Sequence, residues 1–255
     1  MRMDHSSLPK DGNTINRYFP SMTNRSSTSF RIPLSFLMFG FLGLVSSCTD
    51  PVLEESGHED PKPTEDADPS FRILILGDSL TEGFGVSAEE AYPSLLEEKL
   101  NTELSPRTKL RYKVVNGGIS GATTSGGVSR VEWFLKAKPD YLLLALGGND
   151  GLRGIPVKEI KKNIDRILHA ARKNQIPTML AGMKIPPNYG EDYARSFSQA
   201  FAQLAKDHQI PFIPFLLEGV GGNPEMNLPD RIHPNPLGHQ ALCQTVYESL
   251  VSALD

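Results

Sequence analysis

A serine follows directly after a short apolar run near residue 75. Residues 73–76 are all apolar, and they lead straight into Gly77, Asp78 and Ser79. A buried strand that stops at a glycine can present the next side chains at its tip. A serine becomes a useful nucleophile when a neighbouring base removes its proton. Ser79 is therefore a candidate nucleophile, and a serine in an ordinary loop is the competing interpretation.

A histidine that could act as this base lies near the C-terminus. Asp230 and His233 are three residues apart in "LPDRIHPNPLGHQ", a proline-bounded turn that leads into the last predicted helix. This spacing allows the carboxylate to accept a hydrogen bond from the imidazole Nδ1–H. Such a bond fixes the tautomer and leaves Nε2 free to accept a proton.

Different environments are predicted for the other five histidines. Solvated loops are expected for three of them: His5, His58 and His239. Positions in or at the end of a helix, without a carboxylate held in the same geometry, are expected for two: His169 and His208.

Two glycine-rich loops could supply hydrogen-bond donors to a reacting group. In "NGGISGATTSGG" the glycines, including Gly121, let the backbone approach a ligand closely. In "LGGND" two glycines remove side chains beside Asn149, whose amide could donate into a cleft. A flexible connector and a helix-capping asparagine are the respective alternatives. Taken with the serine, histidine and aspartate, however, these donors complete the set that acyl transfer requires.

The elements that must position these residues alternate along the chain. Strands are predicted over five short apolar runs: 71–76, 112–116, 140–146, 178–183 and 211–215. Helices are predicted near five longer stretches: 88–103, 125–137, 156–174, 190–208 and 236–253. This alternation is typical of an α/β fold with a parallel sheet covered on both faces. Ligands bind beyond the carboxyl ends of such strands, which is where the candidate residues lie.

Residues 1–47 are expected to form an export signal. Residues 31–48 contain an apolar stretch of about fourteen residues, too short to span a bilayer comfortably. It ends in "VSSC", which resembles the lipobox of bacterial lipoproteins, so Cys48 is a candidate for lipidation and membrane anchoring. A plain signal peptide is the alternative, and a start at Met22 would give an n-region of ordinary length.

A tether is predicted between this signal and a single domain over residues 71–255. Residues 48–70 are acidic, rich in proline and nearly free of large apolar groups. Such a composition buries too little surface to offset the entropy lost on ordering, so this segment is predicted to be disordered. The expected location is periplasmic or at the cell surface, as a membrane-anchored lipoprotein.

Composition and motifs argue against several other classes. The chain is 39% apolar and 22% charged, with a net charge of −4, so no basic surface for nucleic acid is expected. The segment "GFGVSA" fits a dinucleotide fingerprint, but it lies too far beyond the strand, and Ser87 with Glu90 fits a helix capping box. No metal or cofactor is expected, because no ligand spacing such as H-E-x-x-H occurs. Cys243 is predicted to be a buried thiol that does not pair with Cys48.

Four sequence blocks resemble the conserved blocks of the GDSL, or SGNH, hydrolases: "GDSLTEGFG", Gly121, "GGND" and "DRIHPN". The resemblance spans 71–255 and is closest to the bacterial multifunctional thioesterase/lysophospholipase/arylesterase group, whose longer motifs are similar to "LGGNDGLRG" and "PPNYG". It implies a flavodoxin-like three-layer α/β/α sandwich with a five-stranded parallel sheet. It also implies a serine esterase that hydrolyses small ester or lipid substrates without a cofactor.

The resemblance also assigns roles to individual residues. Ser79 would form the acyl-enzyme, His233 would be the base, and Asp230 would orient that base. The backbone N–H groups of Ser79 and Gly121, with the Asn149 side chain, would form the oxyanion hole. Segment 150–156 resembles a mobile loop that responds to acyl ligands.

Two alternatives to this function stay open. A carbohydrate O-acetylesterase would use the same catalytic residues. A catalytically silent surface lipoprotein would use the cleft for binding alone.

Overall fold

Five parallel strands form one sheet in the computed structural model, which describes residues 70–254. The strands are β1 (Ser70–Gly77), β2 (Arg111–Gly118), β3 (Tyr141–Ala145), β4 (Thr178–Ala181) and β5 (Phe212–Ile213). Their order in the sheet is β2-β1-β3-β4-β5, and every neighbouring pair is parallel. The predicted five-stranded parallel sheet is confirmed. The predicted signal at 1–47, Cys48 and all of the tether except Ser70 lie outside the described residues.

Helices follow the strands along the chain. Their bounds are α1 (Ser79–Glu82), α2 (Tyr92–Lys99), a π-helical turn (Leu100–Leu104), α3 (Ser105–Thr108), α4 (Thr124–Lys136), α5 (Gly148–Leu152), α6 (Val157–Lys173), a 3₁₀ turn (Pro187–Tyr189), α7 (Glu191–His208) and α8 (Pro236–Leu254). Within residues 70–254, none of them is long and apolar enough to cross a membrane.

Helix α6 shows why the sequence adopts this architecture. One face carries its buried residues at helical spacing: Ile160, Ile164, Ile167, Leu168 and Ala171. The opposite face is charged and exposed. The helix can therefore bury all of its large apolar side chains by packing this one face against the rest of the domain. The strands β3 and β4 are buried at every position, as expected of parallel strands covered on both faces.

The start of α2 differs from the prediction. Helix was expected from about residue 88, with Ser87 and Glu90 as a capping box. The Glu90 carboxylate does accept the Ser87 N–H at 3.0 Å, but this pair closes a turn, and the helix begins at Tyr92. Pro93 in the first turn fits that start, because a proline there loses no intrahelical hydrogen bond.

The register of the strands brings three loops to one edge of the sheet. Gly77, the last residue of β1, is paired with Gly118 on one side and with Ala145 on the other. The chain segments that carry Ser79, Gly121 and Asn149 therefore leave the sheet at the same level. The fold therefore brings together the three loops that carry these candidate residues.

Candidate active site

Ser79 is the first residue of α1, immediately beyond β1. Asp78 caps this helix, and its carboxylate accepts the Leu80 N–H at 3.1 Å. A Cβ at position 77 would overlap the Thr81 side chain, so only glycine allows the chain to turn this tightly into α1. The apolar strand therefore ends at Gly77, and Ser79 follows at the carboxyl edge of the sheet.

The structure joins Ser79, His233 and Asp230 by hydrogen bonds. His233 Nε2 lies 3.0 Å from Ser79 Oγ, and His233 Nδ1 lies 2.7 Å from Asp230 Oδ2. The two ring nitrogens therefore face different partners. With a proton on Nδ1 bonded to the carboxylate, Nε2 is the atom that can accept the serine proton.

Backbone groups hold Asp230 in its ionised form. Burial opposes ionisation, but the N–H groups of His233 and Ile232 both donate to Oδ1, at 3.0 and 2.9 Å. These bonds and the imidazole lower the pKa of Asp230 to about 2. The carboxylate is therefore a stable acceptor for the imidazole at any ordinary pH.

The two candidate oxyanion loops lie beside each other. Asn149 Nδ2 donates to the carbonyl of Ala122, the residue after Gly121, at 3.1 Å, and to Asp78 Oδ2 at 3.4 Å. Arg153 Nη2 donates to the Gly121 carbonyl at 3.1 Å. The structure thus brings Asn149 next to the Gly121 loop and next to Asp78, which caps the helix that begins at Ser79.

Asp150 supports this arrangement, and the sequence analysis missed it. Its buried carboxylate accepts the Thr124 N–H at 2.8 Å and the Thr124 hydroxyl at 2.6 Å. Thr124 begins α4, so these bonds tie the Asn149 loop to the chain leaving the Gly121 loop. No local pattern indicated this role, because Thr124 lies 26 residues away along the chain and meets Asp150 only in the folded protein.

Two further side chains around the site were also missed. The Phe84 ring packs on the His233 ring with a centroid distance of 4.5 Å and is half exposed. Arg130, from α4, donates to the carbonyls of Gly117 and Gly77 at 2.9 and 2.5 Å, at the ends of β2 and β1. Phe84 forms an apolar wall against the His233 ring, and Arg130 holds the two strand ends together.

His239 is buried inside α8, so its predicted place in a solvated loop is wrong. Its Nδ1 accepts the Tyr92 N–H at 3.2 Å, which fixes the start of α2 against α8. Burial lowers the pKa of His239 to about 4. Its spacing from Leu242, Cys243 and Val246 on one helical face was the signal that could have placed it in the core.

Cys243 is a buried thiol, as predicted. It lies on the same buried face of α8 as His239. Burial raises the pKa of the thiol to about 11, which keeps it protonated and unreactive.

Asp78, the residue before Ser79, is a buried carboxylate whose ionisation destabilises the fold. Its burial raises the pKa to about 6, against 3.8 for an ordinary aspartate, even though Leu80 and Asn149 donate to it. Between pH 3.8 and about pH 6, the Asp78 carboxyl of the folded protein keeps a proton that the same group in the unfolded chain has released. The contribution of Asp78 to stability therefore falls as the pH rises across that window.

We expect Asp78→Asn to gain stability relative to the wild type as the pH rises from 4.5 to 7.5. The asparagine oxygen can still accept the Leu80 N–H, and the ionisation cost is removed, with an upper limit of about 3 kcal/mol. Urea unfolding at both pH values measures this difference. Asp207→Asn, the same change at an exposed site, is the control. Parallel pH curves for Asp78→Asn and the wild type would contradict the argument.

Comparisons with known proteins agree with this fold. The profile of the GDSL-like Lipase/Acylhydrolase family matches residues 75–241. An arylesterase of Vibrio mimicus is 36% identical over 186 residues, which are 72% of this chain and 90% of that protein. The Thioesterase 1/protease 1/lysophospholipase L1 of Escherichia coli K12 is 38% identical over 164 residues, 64% of this chain and 75% of that protein.

A solved structure shows the same likeness in three dimensions. The psychrotrophic esterase EstA from Pseudoalteromonas sp., inhibited by monoethylphosphonate, superimposes with a TM-score of 0.67 and 31% identity. The alignment covers 72% of this chain and 98% of EstA. The chain belongs to the GDSL-like lipase/acylhydrolase family and has the SGNH hydrolase fold, a three-layer α/β/α sandwich. It is a carboxylic ester hydrolase.

Proposed function

We propose that this chain is a serine esterase that forms an acyl-enzyme on Ser79, with His233 as base and Asp230 as the residue that orients it. The observation that carries the proposal is the continuous hydrogen-bonded line from Ser79 Oγ to His233 Nε2 and from His233 Nδ1 to Asp230. A serine in such a line is activated, because the imidazole takes its proton as the oxygen attacks.

The proposed reaction has two steps. Ser79 Oγ attacks the ester carbonyl carbon while its proton passes to His233 Nε2, and the tetrahedral intermediate collapses as that proton moves to the leaving alcohol or thiol. Water then attacks the acyl-enzyme, giving its proton to His233, and Ser79 leaves with that proton as the acid is released. Asp230, ionised throughout, stabilises the imidazolium in both steps.

Negative charge appears on the carbonyl oxygen in both tetrahedral intermediates. We assign its stabilisation to the backbone N–H groups of Ser79 and Gly121 and to the Asn149 amide. The contact of Asn149 with Asp78 is long, at 3.4 Å, whereas its bond to Ala122 is shorter, at 3.1 Å. The shorter bond would orient the amide, and the hydrogen in the weaker contact is the one available to an oxyanion.

Exposed apolar side chains near the site favour substrates with an apolar acyl or aryl group. The proposed substrate class is therefore aryl and acyl esters, lysophospholipids and thioesters. Four exposed apolar side chains lie on the segments that carry the site residues: Phe84, Ile119, Leu152 and Ile232. A hydrophobic acyl or aryl group gains free energy by covering such side chains. The carbonyl of Ile155, in segment 150–156, accepts the Tyr193 hydroxyl at 2.6 Å, so α7 borders the loop predicted to respond to acyl chains.

A hydrolysis profile of the full chain tests the substrate class. The set should contain nitrophenyl esters of increasing chain length, an acyl-CoA, a lysophospholipid and an acetylated sugar. We expect the highest kcat/KM for apolar acyl or aryl esters. A profile dominated by the acetylated sugar would favour the O-acetylesterase alternative. Labelling of Ser79 by a fluorophosphonate probe separates any hydrolase from a silent binder, which should not react.

We further propose that the protein is exported and anchored in a membrane through a lipid on Cys48. The support is the sequence of residues 31–48, with its apolar stretch and "VSSC" ending. We expect Cys48→Ser to move the protein from the membrane fraction to the soluble fraction. Fractionation and immunoblotting measure this, with Cys243→Ser as the matched control. Membrane association of Cys48→Ser equal to that of the wild type would contradict the anchor.

A further inference from the structure

Two histidines and an aspartate meet where α6 packs against α7. Asp165 and His169 are one turn apart on α6, and His208 is the last residue of α7. His208 Nε2 lies 2.8 Å from Asp165 Oδ1, and His169 Nδ1 lies 3.4 Å from the same oxygen. A carboxylate held as Asp230 is held next to His233 was not expected at either histidine, but Asp165 of α6 contacts both.

We propose that Asp165, His169 and His208 form a binding site for a divalent transition-metal ion, with zinc as the preferred ion. One potential ligand atom from each side chain lies within 4.8 Å of the other two. Imidazole nitrogen and carboxylate oxygen are zinc ligands, and three protein ligands with one open position are a known coordination set.

The distances between the ligand atoms suit a tetrahedral ion. With bonds of roughly 2.0–2.2 Å, neighbouring ligand atoms around zinc are about 3.4 Å apart. The observed 3.4 Å between His169 and Asp165 meets this value, and the 2.8 Å between His208 and Asp165 is shorter because a hydrogen bond now joins them. Zinc would take the place of the hydrogen in that bond and of the one in the 2.9 Å contact between His169 Nδ1 and the Asp165 backbone carbonyl. Each imidazole would then carry its proton on its other ring nitrogen, and water would fill the fourth position.

Burial differs among the three ligands in a way that favours binding from solvent. The His208 side chain is only 9% exposed, whereas Asp165 and His169 are 43% and 65% exposed. The histidine rings stand edge to face with centroids 5.1 Å apart. One ligand is therefore held by packing, and the two outer ones leave a path for the ion.

The C-terminus of α7 also favours a cation here. His208 is the last residue of α7, and His169 lies just before the last turn of α6. Unpaired carbonyls give a helix C-terminus partial negative charge, which stabilises a nearby cation. Both ends lie towards the sheet edge where β4 and β5 begin, the edge opposite to Ser79. The ion would crosslink two helices and stabilise the fold without entering the esterase reaction.

The sequence did not indicate this site, because one ligand is distant along the chain. Asp165 and His169 supply two ligands at helical spacing, but His208 comes from the next helix. Only the packing of α6 on α7 brings the third ligand into place. The proposal therefore depends on tertiary structure and is independent of the proposed esterase mechanism.

Zinc titration of the full-length, untagged protein tests the site. After treatment with a chelator, ZnCl₂ is added and both the binding isotherm and Tm are measured. At a hundredfold excess over Kd we expect Tm to rise by about 5–10 °C. MgCl₂ should have no such effect, because Mg²⁺ prefers oxygen ligands.

Three variants decide whether these residues hold the ion. His169→Ala changes an exposed residue, so the variant should fold normally while its zinc affinity falls on the order of tenfold or more. Asp165→Asn should behave in the same way. His233→Ala removes the histidine of the candidate active site and should keep the Tm shift. The proposal is overturned if His169→Ala keeps the wild-type affinity and shift, or if His233→Ala abolishes them.

Discussion

Replacing Ser79 by alanine should lower kcat by roughly 10⁴–10⁶ and leave the fold intact. The Ser79 hydroxyl is hydrogen-bonded to His233, and alanine fits the same space. In the proposed mechanism the loss is large because the oxygen that becomes acylated is removed, and neither the base nor the oxyanion donors can replace it. The residual rate would come from substrate binding and from those donors.

Steady-state hydrolysis of a nitrophenyl ester measures this effect, together with circular dichroism to verify folding. Ser129→Ala is a matched control, because Ser129 is an exposed serine of α4 whose hydroxyl bonds to a backbone carbonyl. We expect the control to keep full activity. If Ser79→Ala retains more than a tenth of the wild-type kcat, Ser79 is not the nucleophile.

The main elements of the fold could be predicted because their patterns are local. Buried stripes at helical spacing gave α6, and short apolar runs gave the strands of the sheet. Helices α1 and α5, which carry Ser79 and Asn149, were not predicted. They are four and five residues long, so they show no periodicity, and their formation depends on caps and neighbours that the sheet brings together.

The candidate site was predictable to a similar extent. Ser79, Asp230 and His233 could be chosen from residue type and spacing, and the sheet brings them together. Asp150 and Arg130 were missed because their partners are a threonine and backbone carbonyls on other segments. A sequence displays the reactive side chains, but the groups that position them are defined by contacts that form only on folding.

Replacing Asn149 by alanine is expected to have the second largest effect on kcat. Asn149→Ala should lower kcat by about 10²–10³, or 2.7–4 kcal/mol in transition-state stabilisation, with a smaller change in KM. In the free enzyme the amide bonds to the Ala122 carbonyl at 3.1 Å and makes only a long contact with Asp78, at 3.4 Å. The hydrogen in that long contact would form its main interaction when the oxyanion appears. A group that binds more strongly in the transition state than in the ground state contributes to kcat.

A structural role for Asn149 would give a different result, and Asn163→Ala separates the two. Asn163 is also a part-buried asparagine, and its amide donates to the Thr124 hydroxyl at 3.1 Å in the network that supports the site. Both variants lose side-chain amide hydrogen bonds, so comparable losses in the free energy of unfolding are expected. Only Asn149→Ala should lose two to three orders of magnitude in kcat. An unchanged kcat in Asn149→Ala, or an equal fall in Asn163→Ala, would remove Asn149 from the oxyanion hole.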